Sequence, residues 1–152
     1  MSAERGIPLP LVPRWLPWGG VGAVCALIFY GSIVTVPETV VDDAQPVLID
    51  LNYWRHLVAY GVLALSLAYA SDHWELGRWR HAVVVIGMAA GYGVVMELGQ
   101  VFVPHRTDFM MIDVFVNAIG ASVVVVWFLL RPHLSLLAVE EWWGAVGRIL
   151  RR

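Results

Sequence analysis

Residues 92–117 read YGVVMELGQVFVPHRTDFMMIDVFVN, and polar residues recur in this apolar stretch at helical spacing. Glu97 and Gln100 are three residues apart, and Asp113 and Asn117 are four apart, so each pair shares one face of a helix. A charged side chain at the centre of a bilayer costs roughly 2.5–3.5 kcal/mol on insertion scales, so such residues usually have a partner or a function. The stretch predicts two apolar helices that carry one polar site.

The composition of the chain is typical of a membrane protein. Of its 152 residues, 59% are hydrophobic and 14% are charged, and the mean hydropathy is +0.70. These values lie outside the range of ordinary soluble domains. The net charge of −2 gives no argument for nucleic-acid binding. Cys25 is the only cysteine, so neither an intrachain disulfide nor a thiolate-based metal cluster can form.

Prolines and apolar runs divide the chain into segments. Residues 1–18 carry four prolines and are predicted to form an extended cytoplasmic lead. Residues 19–131 are predicted to hold four membrane-spanning helices. Their predicted bounds are residues 19–36, 54–70 and 82–103, with a fourth helix that ends at Leu130 before Pro132.

The final segment, residues 132–152, has apolar residues that recur every three or four positions. They are Leu136, Val139, Trp143, Val146 and Leu150. Glu140 and Glu141 lie elsewhere around the helix and argue against a fifth crossing. We therefore predict an amphipathic helix that lies in the membrane interface. The predicted fold class is all-α, a four-helix transmembrane bundle with an interfacial amphipathic C-terminal helix.

The distribution of arginine predicts the orientation in the membrane. Eight of the ten arginines lie in the N-terminal segment, the second loop and the C-terminal segment. The first and third loops contribute only Arg55 and Arg106. Because arginine-rich segments stay in the cytoplasm, both termini are predicted to be cytoplasmic. We expect a multi-pass protein of the cell membrane.

This topology brings polar residues of three helices to the outer side of the membrane, near the ends of the second, third and fourth spans. We predict a polar pocket that opens outward between these three spans. The candidate catalytic residues are Glu97, Asp113 and His56. The candidate binding residues are Arg55, Tyr60, Gln100, Arg106, Asp108 and Asn117.

Outside this pocket, small and polar residues predict local roles. Gly87 and Gly91 form a GxxxG pair in the third span, which predicts close helix packing. Ser66 and Ser122 are isolated and are predicted to donate hydrogen bonds to backbone carbonyls. Three histidines in or beside the cytoplasmic loops are predicted to be solvated or interfacial: His73, His81 and His133.

The polar pattern resembles that of the VanZ-like family of small membrane proteins. Over about residues 50–125 it comprises Trp54-Arg55-His56, Tyr60, Tyr92-Gly93, Glu97, Gln100, Pro104, Arg106, Asp108, Asp113, Asn117 and Gly120. Where the family usually has an Asp-Lys pair near the head of the second helix, this chain has Asn52-Tyr53. The resemblance implies a multi-pass cell-envelope protein with an outward polar site. The family's founding member is associated with resistance to the lipoglycopeptide teicoplanin, so a role in glycopeptide resistance is one expectation to test.

Two functions fit such a pocket. The first is the binding of an envelope lipid or another amphiphile. The alternative is a membrane-embedded hydrolase or transferase that acts on a lipid-linked phosphate or sugar. In that case Glu97 is the general acid or base, and Arg55 and Arg106 hold the anionic head group. The sequence has no nucleophile elbow or zinc signature, and Ser71 has no evident base partner, so enzymatic activity stays open.

Three further interpretations compete with these. The cluster could be a structural network, although interhelical hydrogen bonds in membranes average only about 0.6 kcal/mol. A proton path lacks a continuous chain of polar residues toward the cytoplasm. A metal site built from His56, Glu97, Asp113 and His105 has no ligand spacing in its favour, and no metal or other cofactor is predicted. The expected partners are membrane lipids, a lipid-linked or amphiphilic ligand and a second copy of the chain, but no nucleic acid.

Overall fold

The protein is mostly helical. The computed structural model describes residues 7–34, 51–103 and 110–149. The helices are α1 Trp15–Phe29, α2 Leu51–Ala70, α3 Arg78–Gln100, α4 Met111–Ser122, α5 Val124–Leu130 and α6 Val139–Ile149. The other elements in the described residues are the strands β1 Ile7–Leu11 and β2 Leu134–Ala138, a π-helical turn Tyr30–Val34 and a 3₁₀ turn Arg131–His133.

Three helical segments are long and apolar enough to cross a membrane. They are Trp15–Val34, Arg78–Gln100 and Met111–His133. They correspond to three of the four predicted spans. The last of these segments is not one unbroken α-helix, because α4 and α5 are separated at Val123, whose N–H donates to the carbonyl of Gly120 at 3.2 Å.

The central helix of the bundle is α2, which contacts α1, α3 and α4. Leu63, Ala64 and Ala68 of α2 are almost completely buried. Arg55 and His56 lie near the start of this helix and make it less apolar than the three segments above. One face of α2 is covered by its neighbours and buries Tyr60, whereas Arg55 near the start of the helix is exposed.

The N-terminal segment is not simply an extended lead, as was predicted for residues 1–18. Within its described part, β1 forms a strand and α1 begins at Trp15 rather than at residue 19. Pro17 therefore lies in the first turn of a helix. Proline is tolerated there because the first amide groups of a helix have no carbonyl partner within the helix.

The C-terminal segment does not form one helix from residue 132, and the fold is therefore not purely α-helical. Instead β2 pairs in parallel with β1, with Ile7 opposite Leu134 and Leu11 opposite Ala138, and α6 follows. Pro8 and Pro10 have no amide hydrogen to donate to a second neighbouring strand, which suits β1 to the edge of a sheet. The side chains of Trp142 and Tyr69 donate to the carbonyls of these two prolines, at 3.0 and 2.5 Å.

We call the end of the bundle that carries β1 and β2 the sheet end. Here Arg131 forms a bidentate ion pair with Asp72, with N–O distances of 2.6 and 2.8 Å, and also donates to the carbonyl of Leu134 at 3.1 Å. Asp72 follows α2 and Arg131 follows α5, so the pair ties these two helices to β2.

His81 at the sheet end is buried, so the prediction that it is solvated or interfacial is wrong. Its Nε2 lies 2.7 Å from the hydroxyl of Ser71, which donates to the carbonyl of Leu67 at 2.6 Å. Because that hydroxyl hydrogen is already donated, the ring donates to Ser71. The rings of Trp74 and Phe128 pack against His81, with centroid distances of 5.8 and 5.0 Å. The sequence analysis therefore missed the partner of Ser71. The hydrogen bond between Ser71 and His81 joins the end of α2 to α3.

The closest helix contact is not where the GxxxG pair predicted it. A Cβ atom added to Gly87 or Gly91 would meet nothing within 4 Å in the described residues. A Cβ atom on Gly120 of α4 would instead lie 2.6 Å from the carbonyl oxygen of Leu57 in α2, and one on Gly61 would lie 3.3 Å from the Gly120 oxygen. The backbones of α2 and α4 thus touch at Gly120.

The two isolated serines have the predicted role. The hydroxyl of Ser66 donates to the carbonyl of Val62, and that of Ser122 donates to the carbonyl of Ala118, both at 2.8 Å.

Candidate functional site

The polar residues of α2, α3 and α4 lie at the end of the bundle opposite the sheet, which we call the site end. Five of them are buried: Tyr60, Glu97, Gln100, Asp113 and Asn117. Glu97 is 1% exposed and Asn117 is fully covered. The polar faces predicted for these helices therefore point into the bundle.

His56 of α2 and Asn117 of α4 are joined by a hydrogen bond. The Nδ1 atom of the ring and the Oδ1 atom of the amide are 2.8 Å apart. Because an amide oxygen only accepts, Nδ1 carries the hydrogen, and in the neutral ring Nε2 is left as a hydrogen-bond acceptor. The approach of the two backbones at Gly120, one turn from Asn117, makes this short contact geometrically accessible.

Helix α3 approaches the same pair at Gly93. A Cβ atom there would lie 2.9 Å from Asn117 Nδ2 and 3.1 Å from the ring of Tyr60. Glu97 and Gln100 follow at i+4 and i+7, so they lie on the same face of α3 and face the seam with α2 and α4. The rings of His56 and Tyr60 stack with a centroid distance of 6.3 Å.

Two buried polar atoms of this cluster have no hydrogen-bond partner among the described residues. They are Oδ1 of Asp113 and Nδ2 of Asn117. A buried polar atom left without a partner costs about 1–3 kcal/mol. One acceptor atom and one donor atom of the cluster are therefore left without a hydrogen bond within the described residues.

A cavity of about 290 Å³ lies beside this cluster, between α1 with its π-helical turn and α2. Its polar lining comes from Ser32, Arg55, His56, Tyr60 and Gln100. Its apolar lining comes from Val24, Leu27, Ile28, Ala59 and Val62. Four of the predicted site residues therefore reach one cavity.

The walls of the cavity differ from the predicted ones. A pocket between the second, third and fourth spans was predicted, and the described parts of these spans are in close contact at Gly120 and Gly93. The cavity described above lies between α1 and α2. Glu97, Asp113 and Asn117 do not line it, although His56 connects the cavity to them through Asn117.

The sequence analysis did not identify the π-helical turn Tyr30–Val34, which supplies Gly31 and Ser32 to the cavity wall. The turn packs on α3, since a Cβ atom on Gly99 would lie 3.2 Å from Ile33 Cδ1. A single π-helical turn in an α-helix frequently marks a functional site. The only signal in the sequence is the polar break Tyr30-Gly31-Ser32 within an apolar segment.

Two candidate binding residues, Arg106 and Asp108, lie outside the described residues, as does His105. Among the described residues there is no group of three or more histidine, cysteine, aspartate or glutamate side chains that could hold a metal ion.

Comparisons of the chain with protein-family models, curated proteins and solved structures find no match. The function must therefore be argued from the site itself, and the resemblance to the VanZ-like family stays a prediction.

Proposed function

We propose that this protein is a four-span membrane protein that binds an anionic amphiphile in the cavity between α1 and α2. The number of spans is supported by the pairing of β1 with β2, since these strands immediately precede the first helix and follow the last. Neighbouring strands lie on one side of the membrane, which requires an even number of crossings between them. The three apolar segments alone would give an odd number, so α2 is the fourth crossing.

The orientation is supported by the arginines. Arg14, Arg78 and Arg131 lie at the sheet end, whereas Arg55 is the one arginine at the site end among the described residues. By the positive-inside rule, the sheet end with both termini faces the cytoplasm and the site end faces outward. The cavity then lies in the outer half of the membrane.

The single observation that carries the binding proposal is the change from polar to apolar lining along the cavity. Arg55 and Ser32 are near the site end, whereas Val62 and Val24 lie seven or eight residues further along their helices. At 1.5 Å per residue this is a distance of about 10 Å toward the centre of the membrane. A lipid of the outer leaflet presents its head group and chain in the same order.

The charge of the cavity selects an anionic head group. The Arg55 guanidinium offers several N–H donors in a fixed plane that matches phosphate or carboxylate oxygens. Gln100 adds an amide that donates and accepts, and among the described residues no aspartate or glutamate lines the cavity.

The experiment is a lipid-binding measurement on the intact purified protein. Native mass spectrometry in the presence of anionic and zwitterionic lipids should show preferred retention of an anionic lipid by the wild type. Arg55→Gln should lose this preference, whereas Arg80→Gln, an exposed arginine of α3 near the sheet end, should keep it. Equal retention of anionic lipid by all three proteins would refute the proposal.

His56 supports the alternative function, a hydrolase or transferase that acts on a lipid-linked phosphate or sugar. It lines the cavity, and its bond to Asn117 leaves Nε2 of the neutral ring as a hydrogen-bond acceptor. A positioned histidine is the most frequent general base in enzymes. Glu97 lies behind the cavity wall, so His56 is the member of the candidate catalytic set that a head group would meet.

Turnover separates the two functions. A phosphatase assay with purified protein and a dodecyl phosphate substrate should show no phosphate release if the protein only binds. Phosphate release that is lost in His56→Gln, with binding retained, would establish the alternative instead.

Membership of the VanZ-like family is part of this proposal. It is supported by contacts between residues of the family pattern, since His56 bonds Asn117, and Gly93 lies against Asn117 and Tyr60. The implied relation to glycopeptide resistance is tested by comparing teicoplanin susceptibility of cells with and without the protein.

A further inference from the structure

We infer that the ligand of the α1–α2 cavity is a single-chain phosphate monoester, whose one hydrocarbon chain leaves sideways into the outer leaflet. This inference rests on the proposed binding function and specifies the ligand class. It follows from three features of the cavity: its volume, its lateral opening and the hydrogen-bonding capacity of its polar end.

The volume limits how much of a ligand can enter. At about 30 Å³ for each water-sized group, a cavity of 290 Å³ holds about ten such groups. A phosphate with its ester oxygen takes about half of them, and the remainder accommodates a short stretch of one chain. In an ordinary phospholipid the glycerol and the first atoms of both chains lie next to the phosphate and would together exceed this volume, even though the ends of both chains could lie outside it.

The opening of the cavity accounts for the rest of the chain. Leu27 of α1 and Val62 of α2 line the cavity and are exposed by 71% and 45%. In a four-span protein these side chains face lipid. A chain that starts at the polar end can therefore pass between α1 and α2 and continue in the membrane, so its total length is not restricted.

The polar end offers both donors and an acceptor. Arg55 and the Gln100 amide donate hydrogen bonds, whereas Nε2 of neutral His56 accepts one because Nδ1 is bonded to Asn117. A complementary head group carries anionic oxygens together with one O–H. A singly protonated phosphate monoester has both, but a carboxylate has no O–H and a phosphodiester anion has none either.

The test compares small amphiphiles on the wild-type protein in neutral detergent, with affinities measured by native mass spectrometry. Dodecyl phosphate should bind best. Didodecanoyl phosphatidic acid, which has the same phosphate monoester on two chains, should bind about tenfold more weakly because the second chain overfills the cavity. Dodecanoate should bind at least about tenfold more weakly than dodecyl phosphate, because a carboxylate has no O–H to donate to Nε2 of His56.

A pair of variants tests whether the chain occupies this cavity. Ala59→Leu fills the apolar lining and should weaken dodecyl phosphate binding about tenfold. Ala23→Leu is the matched control, because Ala23 is exposed on α1 and does not line the cavity, and it should bind as the wild type does. The comparison of amphiphiles uses only the wild-type protein, so it tests the inference even if Ala59→Leu does not fold.

The outcomes separate this inference from the proposed function. Equal binding of dodecyl phosphate and the two-chain phosphatidic acid overturns the single-chain part and leaves anionic-lipid binding intact. Equal binding of dodecyl phosphate and dodecanoate overturns the phosphate assignment. If zwitterionic dodecylphosphocholine binds as well as dodecyl phosphate, both the inference and the proposed function fail.

Discussion

Asn117 is the residue at which the three polar helices meet. Its Oδ1 accepts from His56, its Nδ2 has no partner among the described residues, and Gly93 lies against its side chain. The amide thereby holds the His56 ring in one tautomer and one orientation. Asn117 does not line the α1–α2 cavity, but it determines which nitrogen of His56 can accept a hydrogen bond there.

Replacement of Asn117 by alanine should destabilise the protein and weaken binding. The substitution leaves the half-buried Nδ1 of His56 without its acceptor and opens a void, with an expected loss of about 1–3 kcal/mol. Thermal unfolding in detergent and dodecyl phosphate binding measure the two effects. Ser122→Ala is the control, because that hydroxyl bonds only to a carbonyl of its own helix, and it should change neither quantity appreciably.

At the scale of the elements, the glycines of α3 and α4 differ according to what each one faces. Gly120 permits backbone contact between α4 and α2, and Gly93 makes room for Tyr60 and Asn117. Gly87 and Gly91 face open space in the described residues. The spacing of small residues along a helix therefore does not reveal which of them makes an interhelical contact.

Gly120→Ala and Gly87→Ala should have opposite effects. A methyl group at residue 120 would lie 2.6 Å from the backbone oxygen of Leu57, which cannot move without separating α2 from α4, so we expect a loss of about 1–3 kcal/mol. At residue 87 there is space, and replacing a helical glycine should be neutral or stabilise by up to about 1 kcal/mol. Unfolding midpoints of the two variants in one detergent measure both, and equal midpoints would contradict the α2–α4 contact.

The ion pair between Asp72 and Arg131 ties the sheet to the bundle. Because both side chains are partly exposed, at 17% and 32%, their coupling should be modest, about 1 kcal/mol. A double-mutant cycle with Asp72→Asn and Arg131→Gln measures it from unfolding free energies. Additive effects of the two substitutions would show that the pair contributes nothing to stability.

At the scale of the whole molecule, the parallel pairing of β1 with β2 joins the two ends of the described chain. The carbonyls on the other edge of β1 accept from Trp142 and Tyr69, so the strand is held by α6 and by the end of α2 as well. The sheet end is therefore held together by contacts between several elements, and the α1–α2 cavity lies toward the site end.

The proposed topology is tested by cysteine labelling in intact cells. In a Cys25→Ala background, Met111→Cys places a thiol at an exposed position of the site end, and Trp79→Cys places one at the sheet end. A membrane-impermeant thiol reagent should label residue 111 in intact cells and residue 79 only after lysis. Labelling of both in intact cells, or the reverse pattern, would rule out the orientation.

Local patterns in the sequence determined that the chain is mostly helical, that apolar segments carry polar faces, and that isolated serines bond within their own helices. These features depend on composition and on helical periodicity, which act over a few residues. His56 and Asn117, whose side chains form a hydrogen bond, could both be identified from the sequence as polar residues at one end of the bundle.

Only the tertiary structure decided where the space lies and which groups reach it. The backbones of α2 and α4 touch at Gly120, the cavity lined by Arg55 and His56 lies between α1 and α2, and Glu97 and Asp113 do not line it. The strand pairing of residues 7–11 with residues 134–138 and the partnership of Ser71 with His81 likewise join elements that are separate in sequence. Such contacts depend on the packing distances between helices, which hydrophobic periodicity does not specify.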